Sequence, residues 1–177
     1  LQAARRLLRK GRLAQEHQRG GFVIPAQQAR VEHHAGTRLL LSAGHFEICR
    51  NGDDTSGTEW ARTRKMGVNT LAFRGVQHGA FYVADADCVG VTNAVPWAMN
   101  RQWLDLLAQS GTMLFTSLAP DALGADQRRD LTAAFALAAV TQPLAEPLDW
   151  QRSIYPSRWK ALGREQTFDW VGLDGAG

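Results

Sequence analysis

The chain has 177 residues, the length of one ordinary domain. With 45% hydrophobic and 21% charged residues it can bury a sizeable core, which excludes a disordered or low-complexity chain. The formal net charge is only +3, so any basic surface has to be local.

The basic residues gather at the start. Leu1 to about Gln18 reads as a helix, with Leu7, Leu8 and Leu13 set among Arg5, Arg6, Arg9, Lys10 and Arg12. That run carries no interleaved aromatics and leads into no recognised motif. It therefore reads as a solvated helix face, and no nucleic-acid partner is expected. Gly20-Gly21 ends it, Phe22-Val23-Ile24 is a short strand candidate stopped by Pro25, and Ala26 to His34 shows no period.

Beyond Gly36 the pattern sharpens. Leu39-Leu40-Leu41 and Phe46-Glu47-Ile48-Cys49 are strand candidates, and Glu59 to Lys65 is a short helix or turn. Phe81-Tyr82-Val83 is a third strand. Pro96 takes the first position of a helix that runs to Gln109, with Leu104, Leu107 and Ala108 on one face and Ser110-Gly111 ending it. Met113-Leu114-Phe115 is a fourth strand. Asp126 to Val140 is a helix, because Leu131, Ala134, Phe135 and Ala138 follow the i, i+3, i+4, i+7 pattern. The tail, rich in Trp150, Trp159 and Trp170 and in Pro143, Pro147 and Pro156, reads as an ordered irregular segment packed on the body.

Strands alternating with helices predict parallel βα units. The expected layout is an N-terminal helix and irregular segment over residues 1–36, an α/β body over 37–142, and the tail over 143–177. Cys49 and Cys88 lie beside apolar residues in two strands and read as free buried thiols rather than a disulfide framework. No apolar run approaches the roughly 18 residues of a membrane span, so no membrane role is expected.

The chemistry gathers at two strand ends. Phe46 to Cys49 runs into Arg50, Asp53 and Asp54, then a Gly/Ser/Thr loop and Trp60. Phe81 to Val83 runs into Asp85 and Asp87. Two strands that end in carboxylates suggest the mouth of a parallel α/β barrel, where catalytic groups collect. Paired aspartates are equally turn formers and caps. Trp60 reads as either a packing residue or a sugar platform, and Trp97 and Trp103 read as core.

Arg50, three residues, Asp54 and Thr55, with Trp60 following, resembles the acid/base strand of clan D glycoside hydrolases, the α-galactosidase (melibiase) group. The next barrel strand of that group ends in a pattern like Asn-Asp-Pro-Asp-Cys. It resembles Ala84-Asp85-Ala86-Asp87-Cys88, with Ala in place of Asn and Pro. The last strand, Ser-Gly-Gly-x-Leu-x-x-Ser followed by a Leu-x-x-Glu helix start, resembles Ser110 to Ser117 with Leu123-Gly124-Ala125-Asp126 after it.

The resemblance implies a retaining glycosidase, with two carboxyl groups about 5–5.5 Å apart across the glycosidic bond. Asp54 would be the general acid/base, and Arg50 would orient it. Asp87 would lie at the rim of the sugar pocket, and Asp53, Asp85 and Trp60 would complete the substrate-binding set. An acid catalyst must hold its proton, a state that burial or a like charge favours. Asp53 supplies the like charge and Arg50 opposes it. No cofactor and no metal are implied; the partner is a carbohydrate substrate, most simply an α-galactoside.

The matching motifs belong to the later barrel strands only. The nucleophile of the group is an Asp in a Lys-x-Asp context, and none of Lys10, Lys65 and Lys160 is followed by one. The expected fold is therefore α/β, the C-terminal half of a (β/α)8 TIM barrel with about four βα units, a fragment of a longer chain. Exposed sheet edges make a partner the expectation, either the missing N-terminal half or a homo-oligomer. Two rival functions are non-catalytic carbohydrate binding and an inactive truncated product. A metal hydrolase using His33, His34, His45 or His78 is disfavoured, because no tight ligand spacing exists.

Overall fold

The computed structural model describes residues 31–32, 48–55, 57–80, 82–140 and 142–171. The expected basic helix and the strand candidates at Phe22–Ile24 and Leu39–Leu41 lie outside the described residues.

Three short strands, β1 (Val31–Glu32), β2 (Ile48–Arg50) and β3 (Val83–Asp85), pair in parallel in chain order. The register sets Ile48 beside Val83 and Arg50 beside Asp85. β1 arises in the stretch without a period: two residues are too few to show one.

A parallel pair needs a crossover, and between β2 and β3 it is helical. Helix α1 (Trp60–Arg62) continues through a π-helical stretch, Thr63–Val68, into α2 (Asn69–Arg74). The short helix or turn expected over Glu59 to Lys65 is thus the first part of a longer helical stretch. Its inner face buries Trp60, Val68 and Leu71.

Strand β4 (Val89–Val91) follows β3 after three residues and pairs in parallel with β5 (Thr116–Leu118). The crossover is α3 (Trp97–Ala108), and Pro96 is its cap rather than its first residue. The strand expected at Met113–Phe115 is displaced three residues onward. Those residues still run alongside the sheet: the Met113 N–H donates to the Ala84 carbonyl at 3.4 Å, and the Phe115 carbonyl accepts from the Val89 N–H at 2.9 Å. Among the described residues no sheet closes into a barrel.

Helix α4 (Ala125–Ala138) packs on α3. Leu131 and Ala134 are buried as their spacing predicts, whereas Phe135 of the same pattern is exposed. Trp103, Leu104, Leu106 and Leu107 of α3 are the centre of the core, with Val89 and Val91 of β4.

The tail is more regular than expected. It forms an antiparallel sheet of β6 (Glu146–Pro147), β7 (Arg158–Ala161) and β8 (Arg164–Thr167). β7 alternates exposed and buried, with Trp159 and Ala161 inward. Leu162 and Gly163 join β7 to β8 with φ of 52° and 75°, the two positive angles that a two-residue hairpin turn of matching twist needs. Trp159 and Trp170 both donate their indole N–H to the Pro156 carbonyl at 2.7 Å. Trp170 stacks on Phe168 at 5.0 Å and meets Trp60 at 6.1 Å, which joins the tail to the main core.

Candidate functional site

The ends of β2 and β3 stand side by side, so Arg50 and the Asp85 to Asp87 turn meet there. The Arg50 guanidinium reaches two carboxylates through one nitrogen. Nη1 donates to Asp54 Oδ1 and lies 3.4 Å from Asp87 Oδ1. Arg50 itself is largely enclosed, with 15% of its side chain exposed, whereas the Asp54 side chain is 61% exposed. A fixed cation thus holds an open carboxylate at the mouth of the sheet.

The loop that carries Asp54 is tied at every residue from Asp53 to Thr55. The Asp54 N–H donates to Asp53 Oδ1 at 2.8 Å. Arg62, one turn into the following helix, donates through Nε to the Asp54 carbonyl and through Nη2 to Asp53 Oδ2 at 3.1 Å. Asp53 is therefore paired with Arg62, and its charge is partly spent there. The Thr55 N–H donates to Asp87 Oδ2 at 2.5 Å. The single hydroxyl proton of Thr55 is shared between Asp87 Oδ2 at 3.0 Å and the Cys88 carbonyl at 2.8 Å.

The loop also passes close to β4. Gly57 has φ +68°, and a Cβ there would sit 2.5 Å from the Gly90 Cα, so both the angle and the space require glycine.

Asp87 adopts φ +68°, a left-handed conformation that aspartate tolerates better than most residues. Its N–H donates to Asp85 Oδ1 at 2.8 Å, so Asp85 closes the turn that holds it there. Asp85 is 2% exposed, and burial pushes its carboxyl up to about 6. The Asp87 carboxylate adds to the rise, and the Asp87 N–H and Arg50 oppose it. Burial also raises the Cys88 thiol, with the charge of Asp87 adding to it, which keeps the sulfur protonated and a poor nucleophile. Cys49 is buried and Cys88 half-buried.

The structure thus brings Arg50, Asp53, Asp54, Asp85 and Asp87 into one connected cluster. Trp60 stands in the core, 7% exposed, with its indole N–H donating to the Trp170 carbonyl at 2.9 Å. Thr55 and Arg62 carry the loop, and Arg62 was missed in the sequence. Its only signal is an arginine one turn into the helix that follows the paired aspartates.

A shallow depression, too narrow to hold a water molecule, lies behind the strand ends, between Asn51 and Asp85 on one side and Thr70 and Arg74 of α2 on the other. Neither Arg50 nor Asp54 lines it. Among the described residues no three His, Cys, Asp or Glu side chains are arranged to hold a metal ion, and no helix is long and apolar enough to cross a membrane. His33, His34 and His45 lie outside the described residues. His78 Nδ1 accepts the Ala84 N–H at 3.2 Å. In comparisons with known proteins the chain matches no family model, no curated protein and no solved structure.

Proposed function

We propose that this chain carries the acid/base half of a retaining α-glycosidase site, acting on α-galactosides or a related α-linked sugar. Asp54 is exposed and Asp53 is paired with Arg62, so neither burial nor an unpaired like charge carries the reading; what carries it is the place of Asp54, a solvent-open carboxylate just beyond a parallel strand end and held there by an enclosed arginine. Strand ends hold groups rigidly and open onto the substrate side of an α/β sheet. In the first step Asp54 protonates the departing glycosidic oxygen while a second carboxylate attacks the anomeric carbon. In the second step Asp54 takes a proton from water as that water displaces the sugar. Arg50 orients the Asp54 carboxylate through Nη1. The attacking carboxylate is supplied from outside these 177 residues, since the chain has no Lys-x-Asp.

The test is a pair of aryl α-galactosides assayed with the nucleophile-bearing half present. In kcat/KM, which reports the first step, Asp54→Ala should lose about 10²- to 10⁴-fold on a phenyl glycoside, whose leaving group needs a proton, and far less on a dinitrophenyl glycoside. Azide should restore turnover and give the α-galactosyl azide. Equal rates for Asp54→Ala and the parent on the phenyl glycoside would rule Asp54 out. The missing Lys-x-Asp favours a second reading, sugar binding without turnover. It predicts galactose affinity with no hydrolysis in any assembly.

A further inference from the structure

We propose that Asp87 is a positioning residue that sets the aim of Asp54 through Thr55, rather than a group that touches the sugar. The inference rests on Asp54 being the acid/base. An acid catalyst has to come within hydrogen-bond reach of one particular oxygen, and a loop does that only when a rigid element holds it.

Asp87 supplies that hold. A carboxylate offers about four acceptor positions, and three donors already face this one: the Thr55 N–H, the Thr55 hydroxyl and Arg50. Its side chain is 12% exposed, against 61% for Asp54, so the substrate meets Asp54 and not Asp87. Asp87 is itself fixed from behind, by the Asp85 carboxylate on its N–H and by its place in the turn after β3. Asp54 is thereby held from both sides, by Arg50 at its carboxylate and by Asp87 at the next residue along the chain. Thr55 and Asp87 are 32 residues apart in the chain and meet because parallel pairing brings distant segments to one end of the sheet.

A double-mutant cycle separates positioning from contact, because a group that acts only through Asp54 has nothing to act on once Asp54 is gone. The variants are Asp87→Ala, Thr55→Val and each of these combined with Asp54→Ala. They are assayed on phenyl and dinitrophenyl α-galactosides in the assembly that turns over.

Asp87→Ala should lower kcat on the phenyl glycoside by roughly tenfold to a hundredfold, the scale of a misplaced catalytic group. KM on the phenyl glycoside should change little, and the loss in kcat/KM should be smaller on the dinitrophenyl glycoside. Thr55→Val keeps the shape and the backbone donor, and should lose about threefold to tenfold in the same pattern. In the Asp54→Ala background neither change should cost more than about twofold. Asp87→Asn, which keeps an acceptor oxygen, should recover part of the loss.

Losses that multiply in the double variants, or a loss in KM, would place Asp87 on the substrate and overturn the proposal. If Asp87→Ala does not fold, the two Thr55→Val comparisons decide. A failure of the Asp54 reading itself looks different: Asp54→Ala would then show no dependence on the leaving group.

Discussion

Replacing Asp85 with asparagine should make this protein more stable at neutral pH and leave it unchanged in acid. Asp85 ends β3 almost wholly buried, and burial raises its carboxyl from 3.8 to about 6. Between these values the folded chain holds a proton that the unfolded chain has released. Stability therefore falls as pH rises through that window, and above about pH 6 the whole cost is present. A rise of about two pH units at about 1.4 kcal/mol each gives a cost near 3 kcal/mol at pH 8. Asparagine removes the charge and keeps the oxygen that accepts the Asp87 N–H. Its new N–H₂ needs an acceptor, and an unmet donor costs about 1 kcal/mol or more. Asn51 lines the same depression, and its buried amide oxygen has no partner among the described residues. The net gain for Asp85→Asn should be about 1–3 kcal/mol at pH 8, or roughly 3–10 °C in Tm for a chain of this size. Urea denaturation followed by tryptophan fluorescence at pH 8 and at pH 4 measures it. A variant less stable than the parent at pH 8, or a difference equal at both pH values, would refute the reasoning.

His78 works in the opposite sense. Burial lowers its imidazole below 6.5, and Nδ1 accepts the Ala84 N–H only while unprotonated. Its contribution should be present above about pH 6.5 and lost as pH falls from there through the lower folded value, and His78→Gln should flatten this part of the urea-measured profile. Gly57→Ala combines a left-handed φ with backbone 2.5 Å from the new Cβ, so it should cost about 3 kcal/mol or more; a loss under about 1 kcal/mol would mean the loop is not held against β4. Trp60→Phe deletes the donor to the Trp170 carbonyl and keeps most of the apolar ring area. It should lower stability by about 1–2 kcal/mol and leave galactose affinity unchanged, and calorimetry showing the reverse would return Trp60 to the sugar pocket.

Elements whose inward and outward residues differ in polarity were legible in the sequence. The helix over Trp97–Ala108 shows this, since Leu104, Leu107 and Ala108 repeat at helical spacing and are all buried. Elements defined by backbone pairing were less so. β5 places Ser117 and Leu118 at the surface, so its polarity hides a strand whose partner is β4, and the apolar Met113–Phe115 just before it drew the prediction three residues early. In the tail the alternation of Arg158, Trp159, Lys160 and Ala161 was present, and Leu162-Gly163 marked a turn. The dense prolines argued for irregular chain, and two of them are absorbed without breaking the sheet: Pro147 ends the two-residue β6, and Pro156 lies ahead of β7 as an acceptor for two indoles.

At the site, the spacing from Arg50 to Asp54 was legible because the two residues meet within one loop. The holds on that loop were not, because they cross from one chain segment to another: Thr55 to Asp87, and Arg62 back to Asp53 and Asp54. These contacts arrange the carboxylates by depth. Asp85 is buried and holds the N–H of Asp87; Asp87 is nearly buried and holds Thr55; Asp54, beside Thr55, is open. Depth should sort the consequences of mutation. A change at Asp85 acts on folding, because the group sees protein and not substrate. On the proposed function a change at Asp54 should act on proton transfer and leave stability nearly unchanged, because an exposed side chain contributes little to the fold. Asp87 lies between and should move both stability and kcat. Equal stability changes for Asp54→Asn and Asp85→Asn at pH 8 would break this ordering, since they would mean that the open carboxylate is as much a part of the fold as the buried one.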